Sequence, residues 1–126
     1  CCVNDSHYED VIDPRSLAEI EAKDLLPYKT LLDQLDYVLA CHVTYKNIDP
    51  KQAVYSKFWL QDILKNKMKF KGKIISDCLS MHAANFGTNL EKVKAAINAG
   101  CDYVILSQQS RSELKQVLEE LNFAVV

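Results

Sequence analysis

An α/β fold is what this sequence predicts. Three observations carry it: short apolar runs at residues 37–41 and 103–106 with a third at 73–77 that ends in a polar cluster, three Ser/Thr-x-x-Glu capping boxes, and strict alternation between runs and helical segments. Continuous apolar runs of this length suit strands buried on both faces, as in parallel sheets. The repeat of about thirty residues per strand and helix leaves enough chain for the crossovers that parallel strands require. The pattern fits either a barrel sector or a small open sheet.

The elements follow in order. Ser16 and Glu19 can each satisfy the other's backbone donor, and Pro14 disfavours helix upstream, so a helix is expected over 17–26. Pro27 opens a second short helical stretch to about residue 35. The first strand follows, with His42 at its C-terminal end. Asn47-Ile48-Asp49-Pro50 is a turn, and Ser56 caps a helix carrying Trp59, Ile63 and Met68 on one face. Gly72 interrupts the chain before the second strand, which ends on Asp77. Thr88 and Glu91 start a helix bearing Val93, Ala96 and Ile97, and Gly100 stops it. The third strand ends at Ser107-Gln108-Gln109. Ser110 and Glu113 then start a helix with Leu114, Val117, Leu118 and Leu121, closed by Asn122.

The composition fits one globular unit: 126 residues, 48% hydrophobic and 25% charged, with only three Gly, three Pro and no linker. A net charge of −2 and a pI near 5.9 give no basic face for nucleic acid or an anionic membrane. The cysteines at positions 1, 2, 41, 78 and 101 are odd in number and contain no C-x-x-C pair, and no signal-peptide core is visible. A reducing cytoplasm is the expected location. The opening on Cys1 reads as a cut start.

Chemistry in strand-helix repeats collects at the C-terminal ends of strands. His42, Asp77 and the Ser107–Gln109 group stand there. Asp77 is placed as a carboxylate nucleophile toward a sugar carbon is placed, although Asp also commonly caps turns. In Asp5-Ser6-His7, residues i and i+2 of an extended segment share a side, so Asp5 can reach the imidazole of His7. A neighbouring carboxylate favours the imidazolium and raises a pKa that starts near about 6.5, as an acid/base residue needs. A surface hydrogen bond is the plainer meaning of that motif. For His42 a structural or pocket-lining role ranks ahead of direct catalysis. Cys78 with His82, and Cys1, Cys2, Asp5 and His7, lack the paired short spacings of zinc sites, so no metal is expected. The phosphate-cradling glycine motifs are absent too, and no cofactor is expected.

Several motifs, in order and spacing, resemble one family: Asp5-Ser6-His7, Asp13-Pro14-Arg15, Ala18-Glu19-Ile20, Ala22-Lys23-Asp24, His42-Val43-x-Tyr45, Asp49-Pro50, Ile75-Ser76-Asp77, Leu79-Ser80-Met81 and Ala99-Gly100-Cys101-Asp102. They are similar to the bacterial β-N-acetylglucosaminidases of glycoside hydrolase family three that act in peptidoglycan recycling. The resemblance implies the C-terminal sector, about three βα units, of a TIM-like (β/α)8 barrel, with residues 1–126 a single partial domain and 1–13 its catalytic loop. It implies a retaining hydrolase that removes terminal N-acetylglucosamine from muropeptides, with Asp77 as nucleophile, His7 as acid/base and Asp5 as its partner. His42 and Met81 are the expected substrate contacts. The other readings are a different family-three specificity, such as a β-glucosidase, and a non-catalytic α/β interaction module.

Two departures from the family pattern stand out. Cys78 takes the place of a second Asp after the nucleophile, which implies reduced or retuned activity. The Lys-His-x-Pro-Gly-His-Gly segment and the earlier strands of the family are not in this sequence. The chain alone is therefore expected to be nearly inactive, with an inner sheet face that is exposed or pairs with another copy.

Overall fold

Each helix that opens on a capping box does so for the expected reason. The Ser16 hydroxyl accepts the Glu19 N–H and the Glu19 carboxylate accepts the Ser16 N–H, starting α1 (Leu17–Ala22). This helix stops short of residue 26 because the N–H groups of Asp24 and Leu25 both turn back to the Ile20 carbonyl, closing its last turn. Pro27 then sits in the first turn of α2 (Leu26–Leu31), and one 3-10 turn, Leu32–Gln34, completes the stretch. Thr88 and Glu91 start α3 (Asn89–Ala99), and Ser110 and Glu113 start α4 (Arg111–Glu120). Gly100 ends α3 at φ 124°, a conformation that favours glycine, and an added Cβ there would also meet the Gln61 side chain.

The computed structural model describes residues 8–84 and 86–121. Its five strands are β1 (Val11–Asp13), β2 (Tyr37–Ala40), β3 (Val43–Tyr45), β4 (Lys73–Cys78) and β5 (Tyr103–Ile105). Strands β2, β4 and β5 form one sheet in that order, with every pair parallel, and β1 pairs in parallel with β3 in a second, two-stranded sheet. The α/β class and the three expected strands are therefore present. The short strands β1 and β3 were not anticipated, and β1 occupies part of the segment expected to be loop.

Burial on both strand faces was expected and is not found. On one face Ala40 and Ile74 are buried, and Val38 and Val104 pack against the core formed with Val54, Leu60, Leu79, Val93 and Ala96. Burying Ile74 completely is worth roughly 2 kcal/mol. On the other face Tyr37, Leu39, Tyr103 and Ile105 are 54%, 56%, 52% and 41% exposed. Among the described residues the helices form an apolar layer on one side of the sheet. Ile97 of α3 and Leu118 of α4 are likewise exposed rather than core.

The segment after Ser56 is helical, but it is a ten-residue π-helix, Phe58–Lys67, and not an α-helix. Its end shows the wider repeat, with the Met68 N–H donating to the Ile63 carbonyl at 2.9 Å. Ser56 does cap it, accepting the Trp59 N–H at 3.1 Å. The wider turn lets Trp59 and Ile63 pack in a second core with Ile20 and Ala53 while Leu60 and Leu64 reach the main one. At the far end of the chain, Asn122 lies outside the described residues.

Candidate active site

Asp77 owes its position to an irregularity in β4. Ile75 pairs with Tyr103, but Cys78 pairs with Ile105, so β4 holds one residue more than β5 across that interval. Such a bulge re-aims side chains at a strand end. Buried Ser76 makes up for the disturbed ladder, its Oγ accepting the Ile105 N–H at 3.0 Å. Asp77 Oδ1 accepts the N–H of Cys78 at 2.7 Å.

The Asp77 carboxylate lines a cavity of about 490 Å³ together with Cys78, Ser80, Met81, His82 and Ser107. Met81 thus lines the same cavity as Asp77. Tyr8 and Gln108 complete this wall. Tyr8 immediately follows His7, whereas His7 and Asp5 themselves lie outside the described residues. Gln108 adopts φ 57°, the left-handed region that a side chain rarely occupies and that recurs at functional sites.

The Ser107–Gln109 group braces this rim. Ser80 Oγ donates to the Ser107 carbonyl at 2.7 Å, and Gln109 Nε2 donates to that same carbonyl at 3.0 Å and to Ser80 Oγ at 3.1 Å. Asn89 Nδ2 donates to Gln109 Oε1 at 2.6 Å, tying the rim to the start of α3. Cys78 Sγ lies 2.9 Å from Ser107 Oγ. Burial pushes the Cys78 thiol up, but hydrogen bonds from Ser107 and Ser80 outweigh it, and the thiol ends below its ordinary range.

His42 is fully buried and is not among the residues that line this cavity. Its Nε2 donates to the Cys78 carbonyl at 3.0 Å, and its Nδ1 lies 3.1 Å from Gln52 Oε1. Both ring nitrogens are thus engaged with protein. Gln52 was not anticipated. It lies two residues past Pro50 in the turn region, and a polar residue in a turn gives no sign that it reaches inward.

At the end of β1, Arg15 forms ion pairs with Asp13 and Asp24 at 2.6 and 2.5 Å. Hydrogen bonds from Arg15 hold the buried Asp13 carboxyl below the usual carboxylate range. Among the described residues no group of three or more His, Cys, Asp or Glu side chains could hold a metal ion. Among the same residues no helix is long and apolar enough to cross a membrane.

A carboxylate at the end of a parallel strand, turned by a bulge into a cavity, is an arrangement that several families share. The comparison that decides between them is the match of the glycosyl hydrolase family 3 N terminal domain to residues 2–125. The chain belongs to that family. A β-hexosaminidase of Shewanella frigidimarina is 44% identical over 109 residues, covering 84% of this chain and 32% of the relative. A second, from Psychromonas ingrahamii, is 42% identical over 120 residues, covering 93% and 35%. The chain therefore spans about a third of the length of the curated relatives it matches. NagZ from Neisseria gonorrhoeae superposes with a TM-score of 0.75 at 32% identity, covering 97% of this family-3 chain and 34% of that one. A family 3 β-N-acetylglucosaminidase from Paenibacillus superposes with a TM-score of 0.83 at 22% identity over 95% of this chain and 23% of that one, a likeness of fold.

Proposed function

We propose that this chain is the C-terminal sector of a family-3 (β/α)8 barrel and carries the reacting groups of a retaining β-N-acetylhexosaminidase. The observation that carries the reading is the bulge at Ser76–Asp77, which sets a carboxylate at the C-terminal end of a parallel strand, on the wall of a cavity shared with Met81. Tyr8, the residue after His7 in the sequence, lines the same cavity, which supports a role for His7 there. The name β-hexosaminidase carried by the relatives, and a NagZ complex with N-trifluoroacetyl-D-glucosamine, favour a terminal N-acetylglucosamine. Muropeptides from peptidoglycan, met in the cytoplasm, are the proposed substrates.

In the proposed mechanism Asp77 attacks the anomeric carbon while the bond to the aglycone oxygen breaks, and His7 gives that oxygen its proton. Asp5 holds the His7 ring for the transfer. A water then attacks the anomeric carbon, His7 takes the proton of that water, and Asp77 leaves as a carboxylate. Two inversions give net retention. Asp77 and His7 thereby fill the two roles that a pair of carboxyl groups fills in most retaining glycosidases. The groups that orient the sugar belong to the other barrel units, so the isolated chain is proposed to be nearly inactive.

A second reading, a non-catalytic module that assembles through its sheet, draws on the exposed face of Tyr37, Leu39, Tyr103 and Ile105. Assay of a chromogenic N-acetylglucosaminide separates the two. The isolated chain should give no turnover above buffer, and the chain joined in one polypeptide to the preceding βα units of a family relative should give turnover that Asp77→Ala abolishes. Robust turnover by the isolated chain would contradict the partial-site reading, and turnover that survives Asp77→Ala would contradict the assignment of the nucleophile.

A further inference from the structure

His42 and Gln52 both reach the backbone of the loop that follows Asp77, in addition to the contacts that Ser107, Gln109 and Lys92 make with it. His42, at the end of β2, donates from Nε2 to the carbonyl of Cys78, the residue next to Asp77. Gln52, before the 3-10 turn Ala53–Tyr55, donates from Nε2 to the carbonyl of Ala83 at 2.5 Å. His42 Nδ1 and Gln52 Oε1 lie 3.1 Å apart, a hydrogen bond only when Nδ1 as well as Nε2 carries a proton. Two adjacent side chains, one buried and one half-buried, therefore hold the loop close to both its ends, at positions 78 and 83.

Lys92 of α3 also reaches this loop, its Nζ donating to the Leu79 carbonyl at 3.3 Å. Within it the Met81 and Ala84 N–H groups donate to carbonyls of the loop itself, those of Cys78 and Met81. Among the described residues its backbone bond to the sheet is from the Leu79 N–H to the Ile105 carbonyl at 2.8 Å. Leu79, Ala83 and Ala84 are buried, and the Tyr55 ring lies 6.0 Å from the His42 ring and closes over it. A hydrogen bond between buried groups is stiff against displacement, because breaking it leaves two polar groups without water. The Cys78 carbonyl held by His42 belongs to the same residue whose N–H binds the Asp77 carboxylate.

We propose that His42 and Gln52 are positioning residues for the nucleophile: together they fix the loop of residues 78–84 and, through Cys78, set the rotamer of Asp77 and the placement of Met81. The proposal rests on the reading of Asp77 as the nucleophile. Neither side chain touches substrate. Both act through the backbone of the loop, so their effect falls on how well the carboxylate meets the anomeric carbon and not on how the sugar is held.

Amide hydrogen exchange on the 126-residue chain tests the bridge directly. His42→Phe and, independently, Gln52→Leu should speed exchange at Leu79, Met81 and Ala84 by roughly tenfold, with the amides of β2 and β4 unchanged. His42→Gln, which keeps a donor for the Cys78 carbonyl, should restore most of the protection. Kinetics of the polypeptide completed with the preceding βα units supply the second arm: kcat should fall roughly tenfold in Gln52→Leu with KM nearly unchanged, and His42→Gln should retain more activity than His42→Phe. Exchange that rises equally in β2 and β4, or a loop that stays protected in both variants, would overturn the proposal. A loosened loop with unchanged kcat would overturn it too and leave Asp77 as nucleophile. Failure of the Asp77 reading itself would show separately, as wild-type turnover that Asp77→Ala does not reduce.

Discussion

Tyr37 on β2 and Tyr103 on β5 stand on either side of β4 with their ring centroids 6.3 Å apart, and both rings are open to solvent. Strand alternation and register put Leu39, Ile75 and Ile105 on the same face. An exposed apolar sheet face of this kind favours pairing with another apolar surface. The isolated chain should therefore associate in a concentration-dependent way. Sedimentation velocity should show the mass rising above 14.3 kDa with concentration, and Leu39→Glu combined with Tyr103→Glu should hold it at the monomer. A wild-type chain that stays monomeric at all concentrations would count against this face as a self-pairing surface.

Cys78 should be the most reactive of the three described cysteines. Its thiol sits below the ordinary range, whereas burial pushes Cys41 up and pushes Cys101 up to about 12. Alkylation rate follows the thiolate fraction. Brief iodoacetamide treatment at neutral pH followed by peptide mapping should modify Cys78 before Cys41 and Cys101, and Ser107→Ala should slow it. In the completed polypeptide Cys78→Asp should raise turnover by restoring the carboxylate usual in the family, and unchanged turnover would remove that argument.

The Arg15–Asp13 pair predicts a specific acid sensitivity. Arg15 depresses the folded-state pKa of Asp13 below its unfolded value of about 3.9. The stability it contributes is therefore complete above that value and is lost as pH falls through the lower, folded one. Asp13→Asn should destabilise the chain by about 2 kcal/mol at pH 7, since it leaves Arg15 without its main partner. Thermal melts should show the gap between variant and wild type closing as pH drops below about 4, and a gap that persists at low pH would point to packing instead.

Gly100→Ala tests the end of α3. The φ of 124° is unfavourable for any side chain, and the new methyl would displace Gln61. A loss of about 1 kcal/mol or more is expected in denaturant unfolding. Gln61→Ala combined with Gly100→Ala should recover the part due to crowding and not the part due to backbone strain.

Much of the fold was legible because its local signals are chemically self-contained. Ser16, Thr88 and Ser110 each meet a Glu three residues on, and all three pairs form capping boxes in the structure. What was not legible depends on contacts from afar. The run at 37–41 reads as doubly buried because apolar residues say nothing about whether a covering layer is present. Strands β1 and β3 are three residues each, too short for alternation to register. The π-helix left a trace in Phe58, Ile63 and Met68, spaced five apart, but Trp59 with Ile63 is equally compatible with an α-helix.

The site divides in the same way. Asp77 could be picked out because the end of a strand marks where side chains serve a cavity, whereas Met81 came only with the motif Leu79-Ser80-Met81; both line the same cavity. Gln52 could not, since its value lies in meeting His42 and Ala83, which are 10 and 31 residues away. His42 was visible as a strand-end residue, but only its burial separates a bridge from a substrate contact.

Trapping of the glycosyl-enzyme tests the central claim most directly. The chain completed with the preceding βα units would be incubated with an activated 2-fluoro glycoside, which slows release of the covalent intermediate, and then digested and mapped by mass. The account predicts one sugar per polypeptide on the peptide containing Asp77, lost in Asp77→Ala. Stoichiometric labelling of any other residue, or catalytic turnover without a label at Asp77, would contradict it.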